Sequence, residues 1–402
     1  MPDEHSGIRR TIADDTARSG TSFRPTCWIS IDGAKHTRRG DSRPSKSMTR
    51  AEIGSKIAEG FLPVRPDWLQ RYSEPALEPD LLIVDAHHHL LEGHGHRYML
   101  PDYLEDIGGG HRLLASIFVE CRTFYRSYGP DDRRSLGETE FANGVAALTA
   151  SGAYGPARVC AGIIGNVDLR LGERAGAALE THIAAAGGRF RGIRNVAAWH
   201  KDGIRATSAT PPPGLMLLPD FRQGFAWLAK LGLTFDAWVI HTQLNELIDL
   251  ARAFPDTTII CDHIGGPVGI GPYVGRRDEV FAEWSKSMRA LSRCPNVSVK
   301  LGGLGMHVIG FDFPTRERPP SSSELAEAWK PYVDLCFDAF GAKRAMFESN
   351  FPPDKATCSW VVLWNAFKRL SVGCSVDEKR ALFCDTACQV YRLDLATQGV
   401  GL

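Results

Sequence analysis

Several features are missing from this 402-residue chain, and each absence removes a class of function. No run of about 18 apolar residues occurs, so the sequence carries no membrane-spanning helix. Ten cysteines are present but never as Cys-x-x-Cys. That spacing argues against both a zinc knuckle and a disulfide framework, and it suits a reducing cytoplasm. Neither sign of charge prevails, with 47 Lys and Arg facing 47 Asp and Glu. Without a basic stripe, nucleic acid is not an expected partner. No Gly-x-Gly-x-x-Gly follows an early strand. The runs Gly265-Gly266-Pro267 and Gly302-Gly303 lack the Lys-Ser/Thr of a phosphate-cradling loop, so nucleotide binding is not expected either.

What remains is globular composition, with 43% hydrophobic and 23% charged residues. Residues 1–50 stand apart: ten Lys or Arg against six Asp or Glu, many Ser, Thr and Gly, and little apolar periodicity. Such a stretch cannot bury enough apolar surface to offset its ordering entropy and is expected to be poorly ordered or extraneous. Met48 is read as the natural start, in preference to a regulatory tail. A Pro-rich lead-in over 51–79 is expected to pack on the domain that follows, and 394–402 forms a short tail.

From residue 80 onward, short apolar runs alternate with helical patterns. Strands are expected at 81–86, 116–120, 158–164, 192–197, 235–240, 257–262, 297–301 and 345–348, each rich in Val, Ile or Phe as buried parallel strands are. Helices are expected at 138–150, 173–186, 243–254, 277–293 and 323–340, with Pro255 closing one and Ser322 and Ser323 opening another. Strands alternating with helices imply βαβ crossovers. Eight of them over 80–393 predict an α/β fold, a closed (β/α)8 TIM barrel with a non-barrel N-terminal extension.

In such a barrel the active site forms at the carboxyl ends of the strands. Those ends carry Asp85-Ala86-His87-His88-His89, Glu120-Cys121-Arg122, Arg194, His241-Thr242-Gln243, Asp262-His263, Lys300 and Glu348-Ser349-Asn350, with Asp354 beyond. His87 and His89 are two apart, so on an extended segment they project to one side and can grip one divalent cation. His88 then faces into packing, and Asp85 can orient a neighbouring ligand. Cys121 is read as a buried strand residue, not a nucleophile.

The stretches IVDAHHHL, FRGIR, FDAWVIHTQLNELIDLARAFPDTTIICDHIGGP, NVSVKLGGLGM and RAMFESNFPPDK resemble the amidohydrolase superfamily, in its branch of 2-pyrone-4,6-dicarboxylate lactonase and sugar-lactone hydrolases. The resemblance spans essentially 80–393. It implies a hydrolase barrel in which His87 and His89 form the strand-one pair, His241 the strand-five histidine and His263 the strand-six histidine. His87, His89 and His241 are thereby the expected metal ligands, for one zinc or manganese ion. The branch also contains members that work without a metal. Where relatives commonly read Ser-Asp-Trp-Pro, this chain reads Ser349-Asn350-Phe351-Pro352. Asn350 cannot serve as a base because its amide does not titrate. Glu348, Asp354 or Glu120 is left to supply the acid, with Glu348 ranked first.

Arg122, Arg126, Arg194 and Lys300, with Glu120 and Gln243 beside them, are candidates to surround an anionic substrate. Arg194 is equally suited to an ion pair with Glu120 or Asp262. The expected activity is the opening of a lactone, or an amide, in a small carboxylated molecule. Either a metal or the histidines with Lys300 polarise the carbonyl, His263 orients it, and Glu348 or Asp354 activates water. The rivals are a metal-dependent non-oxidative decarboxylase and a catalytically inert carboxylate-binding barrel. A homodimer is the ordinary expectation for such a fold.

Overall fold

A computed structural model describes residues 62–93, 96–204 and 209–395. The expected N-terminal extension, the Met48 start, the first part of the lead-in and the tail beyond 395 lie outside the described residues. The barrel strands are β1 (Leu82–His88), β2 (Arg112–Val119), β3 (Arg158–Gly165), β4 (Phe190–Val196), β5 (Thr234–Trp238), β6 (Ile259–Cys261), β7 (Val297–Leu301) and β8 (Ala345–Phe347). They form one parallel sheet in sequential order. The ring closes where Asn350 N donates to His87 O and His89 N donates to Phe351 O, at 2.9 and 2.8 Å. Closure therefore happens at the level of the histidines.

Each strand is followed by a helix: α1 (Leu100–Ile107), α2 (Leu136–Ala150), α3 (Ala175–Ala185), α4 (Pro219–Lys230), α5 (Leu244–Ala253), α6 (Arg277–Leu291), α7 (Ser322–Phe340) and α8 (Trp360–Leu370). The expected helices appear as α2, α3, α5, α6 and α7, while α1, α4 and α8 complete the set. The opening of α7 is corrected by one position: Ser321 caps it, in a box with Glu324. Among the described residues no helix is long and apolar enough to cross a membrane.

Two apolar cores result. One lies between sheet and helices, built from residues such as Phe235, Trp284, Trp329 and Trp364. The other fills the barrel's interior: Val84, Ile117, Ile260 and Met346 pack there against Tyr391 and Leu393, from the chain that follows the last helices. Above this layer the interior turns polar. Ile260 is followed two residues later by Asp262, and Met346 by Glu348, so the same inward face passes from core to chemistry. The lead-in is clasped to α8, where Asn365 bonds Glu74, Pro75 and Leu77, and the Lys368 ammonium donates to Leu77 O and Glu78 O at 2.7 Å.

Helix α4 lies so close to the segment after β3 that a Cβ on Gly224 would overlap the Leu169 backbone carbonyl. Backbone cannot step aside as a side chain can. Gly224→Ala is expected to destabilise the barrel by about 1–3 kcal/mol in urea unfolding; wild-type stability would contradict this packing.

Candidate active site

Strand β1 runs further than its sequence pattern indicated, so His87 and His88 are strand residues. Its pairing with β2 shifts register between Asp85 and His88, a bulge that changes which residues face inward. Val84 and Ala86 belong to the inner core, whereas His87 and His89 meet each other, with their Nε2 atoms 3.1 Å apart. Two nitrogens on one tetrahedral zinc at about 2.1 Å lie roughly 3.4 Å apart, so this spacing suits a shared cation. His88 faces the other way and stacks on Tyr103, with ring centroids 4.4 Å apart.

The acid missing at Asn350 is supplied two residues earlier. The Glu348 carboxylate accepts from His263 Nδ1 at 2.6 Å and from the His263 backbone amide at 3.2 Å, and its second oxygen lies 3.0 Å from His87 Nδ1. All three side chains are buried. Burial alone would raise the Glu348 pKa, but His263 first, then His87 at 3.0 Å, outweigh it and hold the carboxyl at about 2. Burial, with the charge of Lys300, keeps His87 well below the usual imidazole range. His263 sits in a tight turn at φ 52°, and Gly303 permits it: any side chain there would strike the His263 ring.

Beneath them lies a charge network. Lys300 Nζ is 2.6 Å from Asp236 Oδ2, 3.0 Å from Asp262 Oδ1 and 3.1 Å from His87 Nδ1. The Tyr391 hydroxyl donates to the same Asp236 oxygen at 2.7 Å. Burial works against the ammonium, but Asp236 and Asp262 outweigh it and hold the Lys300 pKa above its ordinary value. On the other side Arg194 bonds Glu120 through Nε at 2.9 Å and through its Nη2 to the Glu120 carbonyl, and its Nη1 lies 3.3 Å from His87 Nε2. His87 Nδ1 thus has two suitors, a carboxylate and an ammonium, and can satisfy only one in each tautomer.

The remaining expected residues fall into distinct places. His241 is buried; Val268 N donates to its Nδ1 at 3.3 Å, and Nε2 is buried without a partner among the described residues. With Nδ1 accepting, neutral His241 carries its proton on Nε2, a donor that meets no acceptor among the described residues. Gln243 is occupied structurally, bonding Ala197 O at 2.7 Å and Trp199 N at 3.0 Å. Asn350 donates to Asp354 at 3.4 Å. Burial, then the Glu348 charge, push the Asp354 pKa well above the carboxylate range. Arg126 pairs with Glu140 at the surface. Arg122 is exposed at φ 66°, and no ion pair to it occurs among the described residues. Cys121 is held as a thiol, its pKa raised by burial and by Glu138.

Asp236, Tyr391 and Glu138 escaped the residue-by-residue reading, and Asp85, read there as orienting a ligand, also closes the barrel. Asp85 accepts from Ser349 N and Oγ at 2.7 Å and from Tyr103 Oη at 3.0 Å, tying β1 to the segment after β8. Asp236 and Tyr391 anchor Lys300. Glu138, at the start of α2, accepts from the amides of Cys121 and Thr123 at 2.9 and 3.1 Å and fixes the loop that carries Arg122. An acid inside the apolar run Thr234-Phe235-Asp236-Ala237-Trp238 was the one visible signal among them.

The donor set fits a divalent cation. Ligand atoms of His87, His263 and Glu348 lie within 4.8 Å of one another. Around them the buried carboxylates Glu120, Asp236, Asp262 and Glu348 outnumber the cations Arg194 and Lys300 by two formal charges.

The family model described as Amidohydrolase matches residues 84–393, and the chain belongs to that family. Among its relatives, the uncharacterized protein y4mH of Sinorhizobium fredii is 36% identical over 296 residues, covering 74% of this chain and 86% of that protein. L-Fucono-1,5-lactonase of Burkholderia multivorans is 28% identical over 298 residues, 74% of this chain and 87% of that enzyme. A crystal structure of a Burkholderia multivorans amidohydrolase with bound zinc aligns at a TM-score of 0.59 and 26% identity, covering 78% of this chain and 99% of that one.

Burial first, then the charge of Glu120, push the Glu138 carboxyl up to about 8. The folded protein therefore binds more protons than the unfolded chain between the ordinary glutamate value and that figure, so stability falls as pH rises through this window. Glu138→Gln keeps an acceptor for the loop amides but cannot ionise. Its melting temperature is expected to exceed the wild type's by a margin that widens from pH 5 to pH 8, and a constant margin would contradict the assignment.

Proposed function

We propose that this protein is a hydrolase that opens the lactone of a small carboxylated molecule by delivering water to its carbonyl. The observation that carries the reading is the Glu348 carboxylate joined to His263 and His87 at the carboxyl end of the barrel. A carboxylate bonded to Nδ1 fixes an imidazole's tautomer and stabilises the cation it becomes, leaving Nε2 to act as base. His263 takes the proton from water on this reading. His241 Nε2–H is the donor that meets the carbonyl oxygen as negative charge develops. Arg122, at the mouth, receives the substrate's carboxylate. The lactonase among the relatives supports a lactone over an amide.

One divalent cation would instead be held by His87, His263 and Glu348, with His89 in reach; it would supply Lewis-acid polarisation of the carbonyl or the water, and His263, as a ligand, would no longer be the base. A second reading, without metal, is favoured by Arg194 and Lys300, two cations already 3.3 and 3.1 Å from the His87 ring nitrogens. In it these built-in charges and the histidines supply the electrostatic stabilisation.

Glu348→Gln is expected to lower kcat/KM by about 10²–10⁴-fold on a panel of carboxylated lactones followed by pH-stat. Wild-type activity in that variant would overturn the proposal, as would release of carbon dioxide in place of acid. Metal analysis separates the two routes. About one equivalent of zinc, lost in the variant, marks the first; full activity after chelation marks the second.

A further inference from the structure

The amino-terminal end of the barrel strands, opposite the histidines, gathers charge of one sign. Arg189 leads into β4 and Arg191 is its second residue, while Arg392 sits between Tyr391 and Leu393 of the segment that fills the barrel's interior. The pairing of β3 with β4 shifts register between Phe190 and Gly192, which leaves Arg191 as the unmatched residue of a bulge. Gly162 on β3 gives it room: a Cβ there would meet the Arg191 stem and Leu393, each at 3.3 Å. Arg392 Nη2 donates in turn to Arg191 O at 3.3 Å.

Each guanidinium is held by neutral oxygens. Arg191 Nη1 donates to Gly188 O at 2.7 Å and to Phe190 O at 3.2 Å, and Arg189 Nη1 donates to Asn143 Oδ1 at 2.8 Å. No ion pair to any of the three occurs among the described residues. Asp394, two residues beyond Arg392, brings one negative charge against three positive ones. Burial first, then the charges of Arg392 and Arg189, lower the Arg191 pKa, as like charges facing one another do. Solvent reaches the cluster: Arg189 and Arg191 are partly exposed and Arg392 is exposed.

The bonds just named use one terminal nitrogen of each fork, Nη1 in Arg189 and Arg191 and Nη2 in Arg392. The other terminal nitrogen of each has no partner among the described residues and is left to donate. Carbonyl and amide oxygens fix the forks in place without neutralising them, so the repulsion among them is unrelieved until an anion arrives. Arginines also gather at the carboxyl ends of helices, where they answer the dipole. Helix α3 ends beside this cluster, but the carbonyl of its last residue, Ala185, already accepts from Asn143 Nδ2 at 3.1 Å.

We propose that Arg189, Arg191 and Arg392 form an anion site that takes a phosphate group, either free phosphate or the phosphate of a small phosphate ester. A phosphate carries up to two charges and offers three or four oxygens, so each fork can donate to a different one. A carboxylate, with one charge and two oxygens, would leave one fork unanswered. The site is independent of the hydrolase reading, since none of its residues takes part in the chemistry at Glu348.

Calorimetric titration of the full chain tests this, with inorganic phosphate and glycerol 2-phosphate as probes and sodium chloride at matched ionic strength as the control. Arg392→Ala, at an exposed position that tolerates truncation without unfolding, and Arg191→Gln are compared with wild type. Each removes one charged fork and is expected to weaken phosphate binding by about tenfold. Glu348→Gln, at the other end of the barrel, is expected to bind phosphate as the wild type does. Glycerol 2-phosphate binding within about threefold of inorganic phosphate supports the site and marks an ester as its ligand; binding weaker by about tenfold or more supports the site and marks free phosphate. Phosphate heats no greater than those of chloride overturn the proposal and leave the arginines to the helix end. Binding unchanged in both arginine variants, or lost in Glu348→Gln, overturns it equally.

Discussion

The site is organised by one buried carboxylate. Glu348 leaves strand β8 facing inward and meets imidazoles from strand β1 and from the turn after β6. A fully buried carboxylate is costly unless paired, and here one oxygen accepts from His263 Nδ1 and from its backbone amide while the other lies 3.0 Å from His87 Nδ1. Its ionised state is held by those same imidazoles, so position and charge are set together. Two glycines make room for it: side chains at Gly302 or Gly303 would displace Glu348 or His263.

The surrounding charges belong to the same design. Lys300 links the inner core, through Asp236 and Tyr391, to the underside of His87, while Arg194 ties strand β4 to the end of β2 through Glu120. Removing one member of such a network strands its partners, which is why buried ion pairs specify geometry more than they add stability. Asp85 acts at the seam, holding Ser349 where the barrel closes. Closure and chemistry thus share a few backbone and side-chain bonds between β1 and the segment after β8.

The barrel was legible because buried parallel strands write themselves as Val- and Ile-rich runs, and because polar residues gathered at the run ends. His87, His89, His263 and Glu348 were visible for that reason. Pairings were harder to see. Lys300 and Asp236 are 64 residues apart, and Tyr391 is 155 from Asp236; nothing local marks such partners before the ring closes. The basic residues show the difference. Arg126, Arg194 and Lys300 looked alike as candidates for an anionic substrate, yet each has a carboxylate partner within the fold, and Arg122 is left exposed. Strand β1 hid its bulge as well, since a register shift depends on the neighbouring strand.

The central claim is that Glu348 grips the His263 imidazole through its Nδ1 atom. Nitrogen-15 NMR of histidine-labelled protein reads this directly, because protonated and bare ring nitrogens have distinct shifts. The account predicts that His263 carries a protonated Nδ1 with a downfield proton resonance, lost in Glu348→Gln. A bare His263 Nδ1 in the wild type, or a resonance indifferent to that substitution, would contradict it.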